Sequence, residues 1–249
     1  MQVELFRFPG SNACLTVERM LDHVGVDWQE RRVRPAFHVV SLRRAGFERP
    51  TVPAALIDGD RVQGSRSICR RVADELPDSG LLPSDPSLRD RVLDAEAKGE
   101  QLQNLVRRIF YVLAQRDRSM VMPIVNGSFA SWPSWARGAF ARMLVPVASK
   151  GHAARADRID GYLERTAALL AEFDLLVEEG VLGVEGRPTI ADFQIGPNLA
   201  ALALDPDVAA MLRARPCWRI AEVASPTYAF DTPISVPDEW VSRLEPPRA

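Results

Sequence analysis

The sequence predicts two domains of different class, an α/β domain over residues 1–78 followed by an all-α domain over residues 88–215. Three observations carry that division. Before residue 78, short β-prone runs alternate with short amphipathic segments, and two of the runs flank Asp58-Gly59-Asp60, a strong hairpin signal. Between Pro77 and Ser87 the chain holds three prolines, Gly80 and several Asp and Ser residues, which reads as a linker at 79–87. From Leu88 the apolar period becomes helical: Leu88, Val92, Ala95, Gly99, Leu102, Val106, Ile109 and Leu113 follow one another in steps of four and three, the stripe of a helix with one buried face.

The elements of the first domain follow in order. Val3–Phe8 is a strand and Pro9-Gly10-Ser11-Asn12 a loop. Cys14 to Val24 is a helix with Val17, Leu21 and Val24 on its inner face, ended by Gly25 as a left-handed cap. Trp28–Val33 is a second strand, and His38–Gly46 a short basic helix carrying Arg43 and Arg44. Ala54–Ile57 and Arg61–Gln63 form the hairpin, with Pro53 just before its first strand, where a missing N–H is tolerated. Ser65 stands where a helix N-cap belongs, and Ile68, Val72 and Leu76 line one face of the helix behind it. The order β-α-β-α-β-β-α is that of the thioredoxin-like fold, whose first crossover joins parallel strands.

In the second domain, Ser119 to Pro146 is apolar but interrupted by Pro123, Gly127, Pro133 and Pro146, so its helices are expected to be short or kinked. Arg155 to Glu179 is a long helix with Ile159, Tyr162, Thr166, Leu169, Phe173 and Leu176 on one face, stopped by Gly180. Thr189 and Asp192 have the spacing of a capping box, with Asp in place of the usual Glu or Gln. Pro197 is expected to kink the helix that follows. Residues 206–249 contain seven prolines; they predict one more short helix, Val208–Arg213, and then a Pro-rich tail over 216–249 lying on the surface.

Composition bounds the function. The 249 residues are 47% apolar with a net charge of −2 and a pI near 6.0, suited to one large or two small globular domains and not to nucleic acid as the main partner. No apolar run reaches the ~18 residues of a membrane span, and the N-terminus starts as a strand, unlike a signal peptide. Cys14, Cys69 and Cys217 are few and far apart, which fits a reducing cytoplasm and no disulfide framework. His23, His38 and His152 form no ligand pattern, and no metal is expected.

Two segments together resemble a known family. Val52-Pro53, the hairpin and Gly64-Ser65-Arg66-Ser67-Ile68 look like the thiol-binding half of cytosolic glutathione S-transferases, and Thr189-Ile190-Ala191-Asp192-Phe193 resembles the capping motif of that family's all-helical domain. Leu81-Leu82-Pro83 is similar to the family's segment whose leucines join the two domains. The resemblance covers roughly residues 1–215 and implies a transferase that uses glutathione, without a metal, on a small electrophile. It implies a cis peptide before Pro53, pairing of the Val52 backbone with the cysteinyl part of glutathione, and Ser65 holding the γ-glutamyl carboxylate. A helix N-terminus with open N–H groups suits a carboxylate. Homodimerisation, the start of the helical domain against the partner's first domain, is implied in the same way.

The chemistry so implied is thiolate attack, and the protein's task is to lower the thiol pKa by a hydrogen bond to sulfur. Family members place Tyr, Ser or Cys for this in the loop after the first strand; counted back from Val17, that position falls on Ser11. Ser11-Asn12-Ala13-Cys14 also has the spacing of a Cys-x-x-Cys motif with its first Cys replaced, which puts Cys14 in the first helical turn, where a thiolate is favoured. Arg66, His38 and Arg43 are candidates for the carboxylates of glutathione, and Phe110, Tyr111, Trp132 and Trp135 for an apolar electrophile pocket between the domains. Gly64 stands where an acidic or amide residue often precedes the Ser, and Thr51 where a basic residue often lies two before the proline. These departures leave another small thiol open. A non-catalytic binding or assembly protein and a Cys14-dependent glutathione reductase or lyase are the alternatives.

Overall fold

The computed structural model describes residues 1–228 and 234–245. The first domain is a four-stranded sheet, β1 (Val3–Arg7), β2 (Trp28–Arg32), β3 (Ala54–Ile57) and β4 (Asp60–Gln63), in the order β2-β1-β3-β4. β1 runs parallel to β2, Val3 opposite Trp28, and antiparallel to β3, Val3 opposite Ile57. The hairpin closes Ala54 against Gln63. β2 is an edge strand whose charges guard it against pairing with another chain: Arg31 meets Glu4 at 2.8 Å and Glu30 meets Arg7 at 2.8 Å. Helices α1 (Asn12–His23), α2 (His38–Arg44) and α3 (Ser65–Glu75) complete the domain, and Gly25 ends α1 at φ 67° as the sequence predicts.

The second domain is all helical: α4 (Pro86–Arg116), α5 (Met122–Ser128), α6 (Ser134–Gly151), α7 (Ile159–Glu178), α8 (Ile190–Leu202), α9 (Pro206–Arg213), α10 (Trp218–Ala224) and α11 (Asp238–Leu244). α4 has Asp85 as its N-cap, accepting from the Leu88 N–H at 2.8 Å, and Pro86 at its first position, where a missing N–H costs nothing. The predicted surface tail is corrected here. Residues 218–224 and 238–244 are helices, and Ile220, Ala221, Ala224, Trp240 and Leu244 are buried. Residues 229–233 and 246–249 of that tail lie outside the described residues.

α8 is the axis of the domain, with all thirteen residues buried. It is apolar nearly all round, as a central helix is, and α4 reaches it closely. A Cβ on Gly99 would stand 2.8 Å from Ile195 Cγ1 and 3.0 Å from Gln194 Cγ, so only glycine admits that approach. One continuous core runs from Val3, Leu5 and Ile57 of the sheet through Leu81 to Leu102, Phe193 and Leu199. Leu81 is fully buried and its carbonyl accepts from the Ile190 N–H at 3.0 Å, which ties the linker to the start of α8.

The expected capping box is formed. Thr189 donates its N–H and its hydroxyl to Asp192 Oδ2, each at 2.7 Å, and the Gly183 N–H donates to Oδ1 at 2.7 Å. Burial pushes the Asp192 carboxyl up, and the bonds from Gly183 and Thr189 oppose it. An exposed cap is worth ~1 kcal/mol; here two backbone N–H groups would be stranded in the interior at about 1–3 kcal/mol for each lost partner. Asp192→Ala is therefore expected to lower unfolding free energy in urea by about 2–4 kcal/mol, and a loss no larger than an exposed cap's would show that these bonds carry little.

Candidate active site

A cavity of about 690 Å³ opens between the two domains. The first domain contributes the loop between β1 and α1 (Phe8 and residues 10–12), the start of α2 and residues 50–52. The helical domain contributes the C-terminal half of α4, parts of α5 and α6, and Tyr228 with residues 234–237.

Ser11 lines this cavity as the N-cap of α1, its Oγ accepting from the Cys14 N–H at 3.4 Å. A hydroxyl that accepts still carries its own proton. Asn12, the next residue, is committed as a post: Nδ2 donates to Asn198 Oδ1 at 2.8 Å, and Oδ1 accepts from the Tyr228 hydroxyl. That commitment leaves Ser11 as the hydroxyl of the loop that faces the cavity. Val52 also lines the cavity, and the Val52–Pro53 peptide is cis. Among the described residues, the Val52 N–H and C=O make no backbone hydrogen bond. His38 lines the same wall, its Nε2 3.1 Å from the Pro50 carbonyl, and burial lowers its pKa.

Three expected site residues stand elsewhere. Ser65 is the first residue of α3 and not its cap; Gly64, at φ 95°, precedes the helix with no side-chain cap. The Ser65 hydroxyl is buried and donates to Gln194 Oε1 at 3.0 Å, because α8 presents an amide where a cleft was expected. Arg66 is taken by acids of α4, Glu100 at 2.8 Å and Glu96 at 3.2 Å, so its charge is already met. Cys14 is fully buried, and burial pushes its thiol up to about 12, the reverse of what a nucleophile needs. The helix dipole at its position does not offset the loss of water. Trp135 is 75% exposed and Trp132 packs on Phe129 and Phe140 at 4.5 and 5.9 Å; of the four aromatic candidates, Phe110 and Tyr111 line the cavity.

Sequence reasoning missed three residues that line the cavity, Tyr228, Arg107 and His152, and one cation outside its lining, Arg49. Arg49 Nη2 bonds the Gln63 carbonyl at 2.8 Å and lies 3.9 Å from where a Cβ on Gly64 would be, which makes it a cation near the open tip of α3. Tyr228 comes from a segment that gave no readable pattern. Arg107 and His152 line the helical wall. His152 stacks on Tyr111 at 5.3 Å, and burial with the neighbouring Arg107 and Arg108 pushes it down to about 4, so it is neutral at pH 7. Burial pushes the Tyr111 phenol up, so it stays a donor.

A hydrogen-bond chain joins both domains behind the cavity. Asn12 bonds Asn198; Asn198 Nδ2 donates to the Gln194 carbonyl at 2.8 Å; Gln194 accepts from Ser65 and donates from Nε2 to Gln103 Oε1 at 3.0 Å. Gln194→Met would strand the Ser65 hydroxyl and the Gln103 amide, and is expected to cost about 2–4 kcal/mol in urea unfolding. A double-mutant cycle with Ser65→Ala should return a coupling of roughly 0.5–3 kcal/mol; additive losses would mean that the two side chains do not meet.

Residues 5–80 match the family model described as the N-terminal domain of glutathione S-transferase. Several solved structures share the fold over most of the chain. Glutathione S-transferase III in its apo form is 20% identical, with 100% of each chain covered and a TM-score of 0.58. The β-etherase LigF from Sphingobium sp. strain SYK-6 is 21% identical over 78% of this chain and 81% of its own, with a TM-score of 0.56. A glutathione S-transferase from Pseudomonas fluorescens is 16% identical over 90% of this chain and 94% of its own, with a TM-score of 0.56. No curated protein sequence matches the chain. Residues 5–80 therefore match a glutathione S-transferase N-terminal domain, and the chain as a whole shares the fold of the solved two-domain glutathione S-transferases to which it is similar.

Proposed function

We propose that the protein is a glutathione-dependent transferase that joins the thiol to a small, largely apolar electrophile in the cavity between its domains. The observation that carries this reading is the meeting of a capping serine hydroxyl, Ser11, with the unpaired Val52 backbone on the wall of one interdomain cavity. Val52 offers the N–H and C=O that a peptide needs. The open start of α3 with Arg49 beside it offers positive potential for a carboxylate. Ser11 donates to the sulfur and stabilises the thiolate over the thiol. Arg66 and Cys14 have no part in this reading, and Ser65 acts through its bond to Gln194.

Calorimetry with glutathione and the conjugation of chlorodinitrobenzene test the proposal. Wild-type protein is expected to bind glutathione and to form the conjugate. Ser11→Ala is expected to lower kcat/KM by about 10–100-fold near pH 6.5 and to raise the apparent pKa of its pH profile. Unchanged turnover and an unmoved profile would remove Ser11 from the mechanism. Absence of heat at millimolar glutathione would favour a non-catalytic member of the fold.

A further inference from the structure

On its helical side the cavity is lined by apolar residues interrupted by Arg107, Arg116, Asp117, Ser119 and His152. On α4, Val106, Arg107, Ile109, Phe110, Tyr111 and Leu113 all line the cavity; Val106, Ile109 and Leu113 are buried, whereas Arg107, Phe110 and Tyr111 are half-buried. Arg107 lacks the acid partner that three other shielded arginines have. Arg66 meets Glu100 at 2.8 Å, Arg215 meets Asp174 at 2.7 Å, and Arg7 meets Glu18 at 2.6 Å. Among the described residues no carboxylate lies within ion-pair distance of Arg107; its hydrogen bond is a long one, 3.4 Å, to Asn104 Oδ1. Burial pushes its pKa down, with Arg108 acting in the same direction and Tyr111, Cys14 and Glu100 in the other. A guanidinium remains charged under such conditions, and a cation partly removed from water without a counter-ion is costly. Asp117, the acid on the same lining, is engaged by the Ser119 N–H and hydroxyl, each at 2.8 Å. Tyr111 lies one turn beyond Arg107 and is fixed by its stack on His152.

We propose that the electrophile carries a carboxylate on an apolar body, and that the Arg107 guanidinium and the Tyr111 hydroxyl hold that carboxylate. The substrate class rests on the transferase reading; the anion preference of the cavity does not need it. The planar fork of arginine matches a carboxylate, the phenol adds a second donor, and Phe110, Ile124, Leu144 and Val147 supply the apolar contact for the body.

The test is calorimetric and uses two isosteric probes, biphenyl-4-carboxylate and biphenyl-4-carboxamide, on wild type, Arg107→Met and Arg107→Lys. Wild type should bind the carboxylate about tenfold or more tightly than the amide. Arg107→Met should abolish that preference with the amide's affinity retained, and Arg107→Lys should keep part of it. Equal affinities in wild type, a preference that survives Arg107→Met, or no binding of either probe at millimolar concentration would overturn the proposal. Glutathione titrated into the same three proteins should bind alike; a parallel loss of glutathione affinity in Arg107→Met would assign Arg107 to the peptide thiol and also overturn it. Should wild type neither bind glutathione nor conjugate it while the carboxylate preference holds, the transferase reading fails and the anion site stands.

Discussion

The structure depends on a set of amides that α8 holds in the dark between two domains. Gln194 and Asn198 lie one turn apart on a helix with no exposed residue, and they reach Ser65 on one side, Asn12 on another and Gln103 behind. Apolar packing alone does not fix the relative position of two domains, because hydrophobic attraction has no direction. Hydrogen bonds in a low-dielectric interior do, since a slip of an ångström strands a donor at about 1–3 kcal/mol. The two segments that frame the thiol side, the β1–α1 loop and the tip of α3, are thereby placed by the helical domain.

Charge is distributed by the same logic. At the seam between α3 and α4, Glu96 is fully buried and is met by Arg70 Nε at 2.8 Å and Arg66 Nε at 3.2 Å. Removing one partner of such a pair leaves a charge without compensation, which costs more than the pair contributes. The seam is therefore an interlock, and its arginines are not available for small anions. The arginines that line the cavity are others: Arg107 on α4, and Arg116, which lies over Trp240 with its guanidinium 4.7 Å from the ring centroid.

The local grammar of the chain was legible. The Asp-Gly hairpin, the glycine that ends α1, the long stripe of α4 and the Thr189–Asp192 box each rest on neighbours a few residues apart, and each is present in the fold. The cis peptide at Pro53 followed from the family resemblance and is also present. What escaped depends on distance along the chain. The partner of the Ser65 hydroxyl is 129 residues away, and that of Asn12 is 186 residues away. The short helix expected at Val208–Arg213 is present as α9, but the Pro-rich stretch after residue 216 read as a surface tail, and α10 and α11 within it were missed.

Gly99 gives this arrangement an unexpected reach. The notch it leaves in α4 is filled by Gln194 and Ile195, so the spacing of two helix axes is set by the absence of one methyl group. Anything that widened that spacing would tilt the carrier of the amides and, through them, draw apart the loop bearing Ser11 and the tip of α3. The shape of the thiol side is thus governed from a point buried in the other domain, and variation in how such proteins grip their thiol need not begin with any residue that touches it.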